Sequence, residues 1–153
     1  MKKRLYIAYG SNLNKEQMLY RCPTAKPIAV TLLKDHLLVF QGHPFNAHAN
    51  VIPAEGKEVP VAIWEITARD EANLDIYEGV RGGYYTKEYM EIDVNGEKKD
   101  ALIYIMTPKP FGLPSDRYLQ TIVEGYKDFH FSARILNEAV IHAHKNVVLR
   151  PAR

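Results

Sequence analysis

Apolar residues come in short bursts along this chain, and the spacing within each burst decides what it can become. Residues 4–9, RLYIAY, form a compact apolar run that reads as a first strand and stops abruptly in Gly10-Ser11-Asn12. A short helix is expected over 15–21, ended by Pro23. Two stretches rich in β-branched residues and leucine, 28–33 and 37–41, read as strands joined around Lys34-Asp35. Glycine, proline and asparagine crowd residues 42–50, which therefore read as a loop. Residues 59–66, VPVAIWEI, alternate well enough for a strand, with Pro60 marking its beginning or an edge.

The period then changes. Thr67, with Asp70 three residues on, has the form of a capping box. The helix it opens places Ala72, Leu74, Ile76 and Tyr77 at its apolar positions and ends at Gly79. Residues 84–94 and 98–106 flank Asn95-Gly96, a hairpin signal because both central residues of that turn must take positive φ. Two helices are expected last, over 115–128 and 132–144, each with serine near its start. Strands cluster and long helices follow, so a regular βαβ alternation is absent. The pattern predicts an α+β domain with a largely antiparallel, curled or barrel-like sheet rather than a doubly wound parallel one.

The 153 residues suit one domain spanning 1–153, with no internal repeat or linker. The balance of 46% hydrophobic and 25% charged residues is that of an ordinary soluble protein. A net charge of +2 with acids and bases interspersed is no footprint for nucleic acid, and the basic lead Met1-Lys-Lys-Arg4 is too short for a polybasic arm. The single cysteine, Cys22, rules out an intrachain disulfide. The apolar run after Arg4 is too short for a signal peptide, and nothing approaches the roughly 20 apolar residues of a membrane span. A cytoplasmic protein is expected.

Two stretches carry chemistry. In the first, AYGSNL, a strand ends just ahead of a helix in small polar residues and a glycine. Such a bend leaves several N–H groups aimed one way, a geometry suited to an anion or a developing oxyanion. The alternative is an ordinary turn in which Asn12 or Asn14 caps the helix. In the second, LDIYEGVRGGYY at 74–85, Glu78 sits at the helix C-terminus, where a carboxylate is disfavoured, with Asp75 three residues away on the same face. Both effects would raise its pKa toward the range a proton shuttle needs. The competing reading is a solvated glutamate paired with Arg81. His43, His48, His142 and His144 lack metal-ligand spacing, so no metal is expected. Cys22 or Ser11 as a nucleophile stays open, although no Gly-x-Ser-x-Gly elbow is present. The tyrosines at 84, 85, 89, 118 and 126 read first as packing residues.

YGSNL at 9–13 followed some sixty residues later by LDIYEGVRGGYY, then YIM at 104–106 and PSDRY at 114–118, resembles the gamma-glutamylcyclotransferase-like family. The resemblance implies a small curled, mostly antiparallel β-barrel with flanking helices, no cofactor, and a small-molecule γ-glutamyl substrate. It implies cyclisation of the γ-glutamyl group to 5-oxoproline with release of the attached amino acid or amine. It assigns Glu78 as acid/base, Ala8, Tyr9, Gly10, Ser11 and Asn12 as the substrate loop, and Tyr118 as a substrate contact. A hydrolase using Ser11 or Cys22 and a non-catalytic module binding acidic metabolites are the rivals. The oligomeric state is left open.

Overall fold

In the computed structural model, which describes residues 3–149, five strands make one mixed sheet in the order β2-β3-β1-β5-β4, accompanied by four helices. Met1 and Lys2 of the basic lead lie outside the described residues. Strand β1 (Lys3–Ala8) takes the middle place because Tyr6, Ile7 and Ala8 are apolar on both faces and fully covered. It runs antiparallel to β3 (Asn46–Thr67) and parallel to β5 (Glu97–Met106), which it meets at Tyr6↔Leu102.

Strand β2 (Lys26–His43) is continuous where two strands were expected. The polar pair Lys34-Asp35 makes a bulge, not a turn. Asp35 adopts φ 59°, its carboxylate accepts the Gly56 N–H at 3.0 Å, and the ladder to β3 shifts register between Lys34 and His36. The outer arm of this long hairpin is thereby re-aimed. The expected loop over 42–50 is also largely strand: β2 and β3 pair as far as His43↔Asn46, leaving Pro44-Phe45 as the turn. Its polar residues are not there for solvent. Asn50 is 2% exposed, donates to Gln41 Oε1 at 2.7 Å and accepts from the Met106 N–H at 3.0 Å.

The sheet is open, so the expected barrel is not what forms. Strands β2 and β4 (Tyr85–Val94) are its two edges. Near its C-terminal end the β2 edge is covered by the segment after β5. Gly42 N–H donates to Pro110 O at 2.8 Å, Gly112 N–H donates to Phe40 O at 3.1 Å, and Gln41 bridges Phe111.

Elements set by local rules follow the sequence closely. Helix α1 covers Lys15–Arg21, capped by Asn14. Helix α2 covers Ala68–Tyr77 behind the complete Thr67/Asp70 capping box. Asn95 and Gly96 take φ 53° and 88° in the β4–β5 turn. Helix α3 (Asp116–Asp128) starts at the Ser115 cap, and α4 (Arg134–Asn146) is the last helix among the described residues. The core gathers Ile7, Phe40, Trp64 and Leu102 from the sheet with Leu13, Met18 and Leu74 from the helical side. Among the described residues no helix is long and apolar enough to cross a membrane.

Candidate active site

The end of β1, the end of α2 and the start of α3 converge on a cavity of about 360 Å³. After Ala8 the chain turns through a single 3-10 turn, Ser11–Leu13, in which Leu13 N–H donates to Gly10 O and Asn14 N–H to Ser11 O, both at 3.0 Å. The N–H groups of Ser11 and Asn12 open this turn and so have no acceptor within it. Gly10 permits the close approach: a Cβ there would stand 3.1 Å from the Ala49 side chain.

Glu78 is delivered by the way α2 ends. Gly79 N–H donates to Ile76 O and Val80 N–H to Asp75 O, each at 3.1 Å, a Schellman motif that needs the left-handed Gly79 at φ 63°. Glu78, as the capping residue, is turned into the cavity while the chain leaves toward Tyr84. Burial pushes its carboxyl up to about 7, with Arg21 pulling the other way. The direction matches the sequence-based expectation but the cause does not. Asp75 faces away, accepting from Tyr104 Oη at 2.7 Å and from Lys87 Nζ at 3.1 Å. Arg81 is exposed and pairs with no carboxylate among the described residues, so the solvated Glu78–Arg81 pair does not form.

Asn12, 3% exposed, ties the turn to the carboxyl. Its Nδ2 donates to Tyr6 Oη at 2.9 Å and more weakly to Glu78 Oε1 at 3.5 Å, and its Oδ1 accepts from Arg21 Nη1 at 3.0 Å. Opposite, Tyr118 Oη accepts the Ala49 N–H at 3.0 Å, Tyr85 Oη donates to Ala49 O at 2.6 Å, and Tyr9 Oη donates to Tyr104 O at 2.6 Å. Burial raises the pKa of Tyr6, Tyr9, Tyr85 and Tyr118, so these phenols stay protonated and act as neutral hydrogen-bonding groups.

Of the expected site residues, Tyr9, Gly10, Ser11, Asn12, Glu78 and Tyr118 all line this one cavity. Ala8 stands behind it, fully buried and paired with Ala62. Sequence reasoning missed Arg21, His48 and Tyr85. His48, neither a metal ligand nor a partner of Cys22, shares a 2.8 Å hydrogen bond with Tyr84 Oη beside the cavity, and burial lowers its pKa. Among the described residues no group of three potential metal ligands forms.

The rival nucleophiles fare unequally. Ser11 is in the cavity but its hydroxyl has no histidine or carboxylate within hydrogen-bond reach among the described residues. Cys22 is fully buried away from it, its Sγ 3.5 Å from Asp70 O, and burial pushes its thiol up to about 12. A thiol held so far from ionisation is no nucleophile near neutrality. Cys22→Ala is therefore expected to leave turnover unchanged, which steady-state assay of the variant checks, at a modest cost in thermal stability for the vacated volume.

The fold and cavity define an α+β protein in which one carboxyl, held near 7 by burial, and a strand-end turn line the same cavity. A family model described as the AIG2-like family matches residues 58–133. The gamma-glutamylcyclotransferases of mouse and human are each 31% identical over 132 residues, covering 81% of this chain and 70% of theirs. A solved gamma-glutamyl cyclotransferase superposes with a TM-score of 0.79 at 25% identity, covering 99% of this chain and 90% of that one. An uncharacterized human protein does so with a TM-score of 0.81 at 25% identity, covering 100% and 92%. The chain belongs to the gamma-glutamylcyclotransferase family.

Proposed function

We propose that this protein is a gamma-glutamylcyclotransferase that converts a γ-glutamyl amino acid or γ-glutamyl amine to 5-oxoproline and the free amino acid or amine. The reaction is an intramolecular aminolysis. The substrate's α-amine attacks its γ-carbonyl carbon, the new C–N bond closes a five-membered ring, and the old amide C–N bond breaks. The attacking nitrogen, an ammonium at the start, sheds two protons in becoming the ring N–H, and the departing nitrogen gains two to leave as an ammonium, so one carboxyl relaying them one at a time balances the step. Glu78 is that group in this reading. Its placement in the cavity beside Asn12 of the strand-end turn is the observation that carries the proposal, and burial, which holds it near 7, lets it take and return a proton near neutrality at little cost.

The other roles follow from the cavity wall. The N–H groups of Ser11 and Asn12 would receive the oxyanion of the tetrahedral intermediate or the substrate's α-carboxylate. Tyr9, Gly10, Asn12 and Tyr118 would hold the γ-glutamyl chain folded back, where orientation supplies much of the rate. Ala8 would act only by fixing the strand end from which the turn departs. A volume of about 360 Å³ fits a small molecule of this kind. The reading also places the reaction in the cytoplasm and calls for no cofactor.

The test is to offer the purified protein a panel of γ-glutamyl dipeptides, γ-glutamylamines and glutathione and to measure 5-oxoproline. Free glutamate in its place, with covalent labelling of Ser11, would indicate the hydrolase. The pH profile is a second check. Only the ionised carboxylate accepts the ammonium proton, so kcat/KM should fall as pH drops through about 7, the value at which burial holds Glu78. An acid limb near the ordinary carboxylate value, about 4.3, would place the base elsewhere.

A further inference from the structure

Arg21 is the one arginine or lysine among the described residues that line the cavity, and it makes no ion pair with any described carboxylate. Lys87, likewise partly buried, is matched with Glu71 and Asp75. Arg21 is instead placed by neutral groups. Its Nη1 donates to Asn12 Oδ1 at 3.0 Å, its guanidinium carbon lies 4.3 Å from the centroid of the Tyr77 ring, and its carbonyl accepts from Asn73 Nδ2 at 3.0 Å, fixing it against the helix that ends in Glu78. A guanidinium carries five N–H donors in a planar fork, and one of them is accounted for. Glu78 pulls against it through space, as the lowering of its carboxyl by Arg21 shows, but stands beyond ion-pair distance. A pocket built around an unmatched, pre-oriented fork is suited to a planar anion.

We infer that Arg21 receives a carboxylate of the substrate and is the residue by which the cavity selects anionic γ-glutamyl ligands. The inference rests on the function proposed above and adds a residue and a ligand group to it. Two carboxylates could be the one received: the α-carboxylate of the γ-glutamyl group, which every substrate has, or that of a departing amino acid, which a γ-glutamylamine lacks.

A matched pair separates them. γ-Glutamylalanine and γ-glutamylethylamine differ only in the leaving-group carboxylate. Arg21→Gln can keep a donor to Asn12 while losing the charge. Its KM for γ-glutamylalanine is expected to rise at least about tenfold, the equivalent of roughly 1.4 kcal/mol, with kcat changed much less. An equal rise on γ-glutamylethylamine assigns the α-carboxylate; a rise confined to γ-glutamylalanine assigns the leaving group. Arg21→Lys keeps the charge without the fork and should recover part of the KM, which a folding defect would not do. KM within twofold of the wild type on both substrates overturns the inference, as does a fall in kcat at unchanged KM, the mark of a residue that merely props Asn12.

Failure of the wild type to form 5-oxoproline from either substrate would count against the proposed function instead. Calorimetry with glutarate, an unreactive dicarboxylate, then decides Arg21 by itself. Binding by wild type and loss in Arg21→Gln supports the inference. Equal binding by both, or none by wild type, overturns it.

Discussion

Glu78→Gln is expected to lower 5-oxoproline formation by about 10²–10⁴-fold and, at the same time, to make the protein more stable above neutrality. The second half follows from the sign of the pKa shift. Folding lifts the carboxyl from its usual 4.5 to about 7. A group raised in this way favours the folded state fully below about 4.5, and that contribution is lost as pH climbs through 7. At about 1.4 kcal/mol per pKa unit, the ionised side chain then costs the native state up to about 3 kcal/mol. Glutamine is uncharged at every pH, keeps the shape, and can still accept from Asn12. Melting curves should therefore nearly coincide at pH 5 and separate at pH 8, with the variant higher by up to roughly 6–12 °C. Retained turnover would remove Glu78 from the chemistry. Lost turnover with no pH-dependent gain in Tm would mean that the carboxyl is not desolvated, and its poise would need another origin.

The coupling of these two effects explains a choice the sequence makes at 78–79. A surface helix would end in lysine or arginine, and those residues would stabilise it. This helix ends in a glutamate that a Schellman turn at Gly79 rotates inward. The misfit could be seen in the sequence because helix ends follow local rules. The same locality made the Thr67/Asp70 box, the Asn95-Gly96 turn and the 15–21 helix legible. Each is decided by residues three or four positions apart.

What the sequence concealed depends on distant partners. Asp35 reads as a turn residue, and only the Gly56 N–H across the hairpin makes it a bulge. Asn50 reads as a loop residue until Gln41 and Met106 are brought to it. Arg21 acquires its place only when α1 meets the 3-10 turn and α2, and His48 only when β3 meets Tyr84, and nothing in their neighbourhoods along the chain announces a cavity. The predicted closure of the sheet failed for a related reason. Whether two edges meet depends on how the whole sheet curls, which no local stretch decides, and here β2 and β4 stay its two edges.

The last prediction concerns a helix position rather than the cavity. Gly125→Ala in α3 should damage activity more than stability. Alanine normally suits a helix interior better than glycine by about 1 kcal/mol. Here a Cβ would stand 2.6 Å from Asn14 N and 2.7 Å from both the carbonyl carbon and the Cβ of Leu13, so backbone would have to move. The helix cannot simply tilt away. Asn14 Nδ2 donates to Thr121 O at 3.1 Å before the glycine, and Lys15 N–H donates to Asp128 Oδ2 at 2.9 Å after it. Overpacking of this kind costs typically about 1–3 kcal/mol, only partly offset by the helix preference, so a net loss of stability of up to about 2 kcal/mol is expected. Its consequence for the cavity is larger. The turn being pushed carries Ser11 and Asn12, and the helix being lifted carries Tyr118, so opposite walls separate. A misplacement of about 1 Å in a site that works by orientation can cost on the order of 10²-fold. Parallel measurement of Tm and kcat/KM reads both effects. Gly82→Ala is the control, since its Cβ would meet nothing nearer than 3.8 Å, and both quantities should stay at the wild-type level. Wild-type kcat/KM in Gly125→Ala would show that the turn's position is not what the chemistry depends on.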